Sequence, residues 1–545
     1  MRTLALFLLT TGTTLAQSPS LLVSRGDVLP SGAVVDTIQA AEVDSSGRWI
    51  AAVRVNNGGS FGESMISSEG FELGEGMPVP GMANATVDST TRLGRDDLGN
   101  SYVTMTANLA AGGFRRVILR NFAAPLWTSD DLLIGPGFGP SARIAIFNHI
   151  EVNSGGDILV IGEVNDPNHT PNQYDAIVRL NIQAGTVVSQ TLVVDGSIPP
   201  AGQTAGVNVF WTLENSVVFG SAGDVLWGAS IDGSPLFGAA YREPGQLLGQ
   251  EGMPSPVPGR TWDSPFIPRL DVNAAGTSLL SGDLDGSIVT DLVYLQDGLP
   301  ILQEGDSVPG FSNSNYVILG DTGQLSDSGE LIHTARISGV PFSQDRMIFA
   351  GQDILVREGL SQTSNGLSIT QVELSGMQAS NNGRWILFRG WVPGNTTASL
   401  MLLDRGPEIG SPYCSAEPNS TGGSAVTRAF GSTLVADQDL SLTCEGMPLD
   451  VFGFFLASTT QANIAFPGGS QGRLCLGGTI ARFNSQVLSS GAAGSFGISV
   501  DMSNIPLTPP VAIQAGETWS FQTWFRDENP GVTSNFALPV AVQFQ

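Results

Sequence analysis

The chain reads as all-β: a seven-bladed β-propeller followed by a β-sandwich or jelly-roll domain. Three observations carry this reading. A polar glycine turn recurs seven times, an acidic-Gly mark followed by proline recurs between those turns, and the composition shifts near residue 404, beyond which all three cysteines lie.

The glycine turn enters an apolar strand each time, as in Asp44-Ser45-Ser46-Gly47-Arg48-Trp49-Ile50 and Ser380-Asn381-Asn382-Gly383-Arg384-Trp385-Ile386. Its glycines are Gly47, Gly99, Gly156, Gly223, Gly276, Gly329 and Gly383, at spacings of 52, 57, 67, 53, 53 and 54 residues. A period of that size leaves room for four short strands and their loops, which is one propeller blade. The second mark is seen in Glu75-Gly76-Met77-Pro78, Glu251-Gly252-Met253-Pro254, Glu304-Gly305-Asp306-Ser307-Val308-Pro309 and Glu358-Gly359-Leu360. Acidic-Gly supplies a turn and the proline stops pairing there, so these are punctuation between strands. Seven units span residues 20–403, and closing them into a ring leaves only short protected strand edges. A straight β-solenoid is the competitor, but its turns are shorter and more uniform.

Residues 404–412, Asp404-Arg405-Gly406-Pro407-Glu408-Ile409-Gly410-Ser411-Pro412, read as a linker. Residues 413–545 then alternate strand-like runs with turns, such as Leu440 to Cys444, Thr518 to Phe525 and Ala537 to Phe544. At the other end, Arg2, the apolar run Leu4 to Leu9 and Thr14-Leu15-Ala16 make residues 1–16 a signal peptide, which predicts a secreted or outer-surface protein. No later apolar stretch is long enough to span a bilayer.

Composition excludes several function classes. The formal charge is −26, from 50 acidic and 24 basic residues, and every basic residue is arginine. Without lysine there is no lysine Schiff base, no Ser-Lys pair and no P-loop lysine. An acidic field without a basic stripe also speaks against nucleic-acid binding.

Searches for catalytic groups yield little. Gly468-x-Ser470-x-Gly472 and Gly58-x-Ser60-x-Gly62 match the nucleophile-elbow string, but in a chain with 68 glycines such matches arise by chance, and no histidine follows Ser470. The three histidines, His149, His169 and His333, fall in different repeats and form no metalloprotease motif. His169 is the binding candidate, in the polar loop Asn165-Asp166-Pro167-Asn168-His169-Thr170. No cofactor is expected. Calcium is the ion the sequence favours if one is held, with Asp283, Asp285 and Asp291 offering hard oxygen ligands, although the register departs from an EF-hand. Trp211, Trp227 and Tyr241 offer aromatic surface for sugar stacking or for a blade core.

The repeated turns Ser45-Ser46-Gly47-Arg48-Trp49-Ile50 and Asn381-Asn382-Gly383-Arg384-Trp385-Ile386 resemble the strand start of TolB-like and WD-like propeller repeats, and more loosely the Asp-box of sialidase propellers. That resemblance implies a structural role for the turn. Farther on, Tyr413-Cys414, Pro418-Asn419-Ser420-Thr421-Gly422, Gly468 to Gly478, Gly516 to Asp527 and Thr533 to Phe536 together resemble a C-terminal module of secreted proteins from planctomycete-type bacteria, a family of uncharacterised function. Cys414 and Cys475 sit in two of those motifs, which suggests a disulfide between them, worth about 3–5 kcal/mol by loop closure. Three cysteines allow three single bridges, and spacing alone does not choose.

Two functions follow. The favoured one is a non-enzymatic exported or cell-surface protein whose propeller presents a face to an extracellular protein or glycan. The alternative is an extracellular polysaccharide-acting hydrolase or lyase with carboxylates gathered at the propeller mouth. Carboxylates clustered with an arginine or His169 in a deep central cleft favour the enzyme, and charges dispersed over a shallow face favour binding.

Overall fold

The structure is a computed structural model that describes residues 18–200, 209–210, 217–231, 237–263, 269–308, 311, 313–320, 322–351, 353–490, 494–528 and 531–545. The signal-peptide residues 1–16 lie outside the described residues. No described helix is long and apolar enough to cross a membrane.

The chain is all-β and multi-sheet. Seven antiparallel sheets follow one another along residues 34–74, 85–128, 143–195, 209–250, 269–303, 316–357 and 371–404. In each, successive strands pair with their sequence neighbours, so the sheets are meanders. The seventh takes its outer strand from the chain's beginning, where Ser20–Val23 pairs antiparallel with Ser399–Asp404 in the register Ser20 to Leu402.

Every glycine turn joins the first and second strands of its sheet. Gly47, Gly99, Gly156, Gly223, Gly276, Gly329 and Gly383 all have φ between +69° and +92°, the left-handed region that glycine enters without a Cβ clash. The residue that opens the turn closes it with its side chain: Asp44, Asp96, Asn153 and Asn273 each accept a hydrogen bond from the backbone amide four residues on, at 3.1, 2.6, 2.9 and 3.0 Å. Polar residues there act as local backbone caps.

Alternation along the strands gives each sheet two apolar faces, and each sheet shares a core with the next. Ile50, Met65 and Leu73 of the first pack with Val87, Val103 and Met105 of the second. Ile332, Ile348 and Val356 of the sixth pack with Ile386, Phe388 and Met401 of the seventh. One cluster joins the seventh to the first: Leu387 and Leu400 pack with Val35, Ala51 and Val53, and Val23 completes it. The turn tips are also bonded together. Ser45 donates its amide to Asp97 at 2.8 Å, Asn381 donates to the other oxygen of Asp97 at 2.8 Å, Asp327 donates its amide to the Asn381 carbonyl at 2.6 Å, and Ala274 donates to Asp327 at 3.1 Å. Asp97 of the second sheet thus meets the turns of the first and the seventh.

Beyond the seventh sheet, two further sheets pack face to face. One contains Glu408–Ile409, Val426–Gly431, Leu440–Glu445 and Phe496–Ser499; the other is built on Phe452–Ser458, Thr518–Glu528 and Val540–Gln543. Ala429, Leu442, Phe455, Phe521, Phe525 and Val542 fill the space between them. Residues 404–412, expected to be a linker, instead contribute two short edge strands, Glu408–Ile409 and Ser411–Pro412, one to each of these sheets. Pro412 sits at an edge, where its missing amide costs no ladder bond. Cys414 and Cys475 form a disulfide with Cα atoms 6.3 Å apart, and Cys444 is buried as a free thiol.

This second unit meets the sixth sheet through a buried ionic seam. Arg405 donates to both oxygens of Glu330 at 2.6 and 3.2 Å, and both side chains are buried. Asp353 lies beside them at a small cavity lined by Arg405, Phe430, Ser441 and Ile498. Burial, with the nearby Glu330 charge, pushes Asp353 up to about 7. Replacing Arg405 by alanine leaves Glu330 buried without its partner, and a loss of about 3–5 kcal/mol is expected in chemical unfolding; a loss below about 1 kcal/mol contradicts the seam as described.

Candidate functional site

The candidate site comes from one repeated position. Counting two residues back from the opening residue of each turn gives Glu42, Gly94, Glu151, Val218, Asp271, Gln324 and Gln378. Each lies on the first strand of its sheet, and those strands lie side by side in sequence order, with Val34–Val43 of the first against Gln378–Ala379 of the seventh. Seven equivalent positions therefore face one another at a single level, three of them carboxylates and two amides. One pair of residues farther along the strands stand Arg92 and His149.

These side chains interact across sheets. Arg92 donates its Nε–H to His149 Nδ1 at 3.0 Å, which leaves the His149 Nε2 proton for Glu151, 2.5 Å away. Gln324 donates to Gln378 at 2.8 Å and accepts from the Ala379 amide at 2.5 Å. Asp271 accepts from the Leu325 amide at 2.6 Å. Glu42 is different: burial first, then the Glu151 charge, pushes its carboxyl up to about 8. Burial likewise raises Asp271, to about 6, against the backbone bonds that favour its anion. The level thus places Glu42, a carboxyl that burial keeps protonated into neutral pH, near Glu151. Such a pair can donate and accept a proton, or bind a polar solute. It lies two residues from the turns whose tips are bonded together.

The residues singled out in the sequence lie elsewhere. His169 is in the loop between the second and third strands of the third sheet. Its Nδ1 meets the Pro171 carbonyl at 2.8 Å, its Nε2 meets Asp195 at 2.9 Å, and its ring lies 4.1 Å from the Tyr174 ring. With both nitrogens facing acceptors, the imidazolium is favoured, and the Pro171 bond and the Asp195 charge raise its pKa against the effect of burial. This histidine ties its loop to Asp195, the last residue of the fourth strand of its own sheet, Thr186–Asp195.

Asp283, Asp285 and Asp291 have different surroundings. Arg260 donates to Asp285 at 3.1 Å and the Thr261 amide donates to the same oxygen at 2.9 Å. Burial first, and then Asp291, raises both Asp283 and Glu304. Among the described residues, no three His, Cys, Asp or Glu side chains are grouped as a metal-ligand set. Trp211 lies outside the described residues, while Trp227 and Tyr241 stack at 4.6 Å inside the core shared by the third and fourth sheets. Ser470 is buried in a turn and donates to the Ser534 carbonyl at 2.7 Å. His333 is buried with both nitrogens lacking hydrogen-bond partners, stacked on Phe349 at 5.1 Å, and burial pushes it down to about 3.

The acidic residue of the punctuation mark does more than precede a glycine. Glu304 is buried and accepts from the Leu319 amide at 2.9 Å, and Glu358 is buried beside Arg346.

No protein-family model matches the chain, and no curated protein matches it in sequence. Solved structures with some similarity include the Dos1 propeller (9% identity, TM-score 0.35, covering 72% of this chain and 96% of that one). The polysaccharide lyase Uly1 is similar at 10% identity and a TM-score of 0.34, covering 67% and 89%. Trypanosoma rangeli sialidase, in complex with 2,3-difluorosialic acid, is similar at 10% identity and a TM-score of 0.30, covering 96% and 91%. Similarity of this order carries no argument about activity.

Proposed function

We propose that the chain is an exported, non-enzymatic binding protein: a closed seven-bladed propeller that presents one face to an extracellular protein or glycan, followed by a β-sandwich that serves as an attachment module. Carboxylates gathered with an arginine are what the enzyme reading expects, and the single observation that carries the binding reading against it is where they sit. Glu42, Glu151 and Asp271 sit beside the turn tips that bond together through Asp97 and Asn381. In a four-stranded meander the second-to-third strand loops and the links between sheets lie at the other end, so a polymer reaching the propeller meets those loops first. Several bulky apolar side chains are exposed there, including Ile134, Ile198, Ile288 and Phe342. Exposed apolar side chains rimmed by polar ones suit a partner surface.

The hydrolase or lyase reading keeps one observation in its favour, the carboxyls of Glu42 and Glu151 gathered with Arg92 and His149 at one centre. The two readings separate in one experiment. The mature chain is screened for retention on, and turnover of, extracellular polysaccharides, with and without calcium. Retention without turnover, unchanged in Glu151→Gln, is the expected result. Turnover that falls at least about 100-fold in Glu42→Gln or Glu151→Gln would make the enzyme the correct reading.

A further inference from the structure

The outer face of the larger C-terminal sheet carries a feature unrelated to the propeller. Residues directly opposite in an antiparallel pair share a face. Phe454 is opposite Trp524, Trp524 is opposite Phe536, Arg526 is opposite Ser534, and Leu456 is opposite Arg482. The alternate residues Phe455, Phe521 and Phe525 point into the core. The hairpin Gln461–Ala465 and Arg473–Leu476 covers the middle of the outer face, where Leu456, Leu476 and Phe536 form a small cluster. Its rim stays open: Phe452 is 59% exposed, Phe454 and Trp524 are half-buried with rings 5.1 Å apart, and the Arg526 guanidinium lies 5.5 Å over the Trp524 ring.

The charges on this face run against the rest of the molecule. In a chain of formal charge −26, most arginines are tied to carboxylates, such as Arg95 to Asp44 and Glu69, Arg179 to Asp157, Arg384 to Asp404 and Arg473 to Glu417. Arg482 and Arg526 are exposed and make no ion pair among the described residues; Glu528 stands on the same face as Arg526 without pairing to it. Two unpaired guanidiniums beside the exposed Phe452 ring and the half-buried Trp524 ring complement a ligand that offers planar anions and apolar ring faces together. Carboxylates suit the two-pronged guanidinium, and sugar rings suit Phe452 and Trp524. Two strands and four residues separate the arginines, roughly 16 Å by strand geometry, so one ligand reaching both is an extended chain.

We propose that this aromatic and arginine platform binds an acidic polysaccharide through its uronate carboxylates. The proposal is independent of the propeller face, and it gives the C-terminal unit a ligand class of its own.

Affinity electrophoresis of the full mature chain through gels containing polygalacturonate, at about 0.15 M salt, is the test; at that ionic strength long-range repulsion is largely screened. Wild type is retarded. Arg482→Gln with Arg526→Gln weakens retardation at least about 10-fold, and Phe452→Ala weakens it several-fold. All three side chains are exposed, so an unchanged melting temperature shows that the fold is intact. Fully methyl-esterified polygalacturonate leaves mobility unchanged. Absence of wild-type retardation, equal retardation of the double arginine variant, or equal retardation by dextran sulfate would overturn the proposal, the last by showing simple anion exchange.

Discussion

A chain beginning at Ser24 is expected to be about 3–5 kcal/mol less stable in urea unfolding than one beginning at Gln17. The missing residues include Leu21, Leu22 and Val23 of the strand that pairs with Ser399–Asp404; Leu22 and Val23 pack in the core between the seventh and first sheets and Leu21 in that between the sixth and seventh. Burial of such side chains contributes about 1.5–3 kcal/mol for each that is complete, and here Val23 is fully buried while Leu21 and Leu22 are half-buried. Removal also leaves the strand Ser399–Asp404 with an unpaired edge, so self-association is expected alongside the loss. A truncated chain within about 1 kcal/mol of the longer one contradicts a structural role for the pairing.

Stability is expected to rise as pH falls from about 8 to about 5. Glu42 is pushed up to about 8, Asp353 to about 7 and Asp271 to about 6, and burial also raises Glu304 and Glu445. Each binds its proton in the folded protein at a pH where the unfolded chain has released it. Their contribution is therefore fully present below the ordinary carboxylate range and is lost as pH rises through the folded values. Raised His169 acts in the same sense. His333 opposes it: pushed down to about 3, it contributes stability above about 6.5 that is lost progressively toward pH 3. A tenfold difference in proton affinity between the folded and unfolded chain is worth about 1.4 kcal/mol, less for a partly exposed group, so the carboxyls together outweigh this histidine by a few kcal/mol. Thermal unfolding is expected to show a melting temperature more than about 3 °C higher at pH 5 than at pH 8. Because net self-repulsion also falls on acidification, Glu42→Gln isolates the specific part: it raises the melting temperature at pH 8 and changes little at pH 5. No gain at pH 8 contradicts a protonated Glu42.

The all-β class and the turn positions are legible because they depend on local chemistry. A glycine that must enter positive φ leaves a signature in seven short stretches, and in four of them an Asp or Asn three residues earlier caps the turn. The centre is legible too, one step further on. Aligning the strands on those turns brings Glu42, Glu151, Asp271, Gln324 and Gln378 to one position. A search on histidine passes over it because His149 acts through Arg92 and Glu151, which lie on two different repeats, and because His169 stands in a more polar loop. The pairing of Ser20–Val23 with residues nearly four hundred positions away has no local mark. The same holds for the Arg405 and Glu330 seam, where each residue is ordinary in its own segment. The contact of Asp285 with Arg260 has no local mark either, because the two residues lie in different turns.

Closure of the seven sheets into one ring is the central claim, and amide hydrogen exchange along Ser20–Val23 tests it most directly. If the first residues complete the seventh sheet, the amides of this strand that bond to Ser399–Asp404 exchange as slowly as those of the partner strand itself. Exchange at the rate of an unstructured peptide, while Ser399–Asp404 stays protected, would contradict the closed ring.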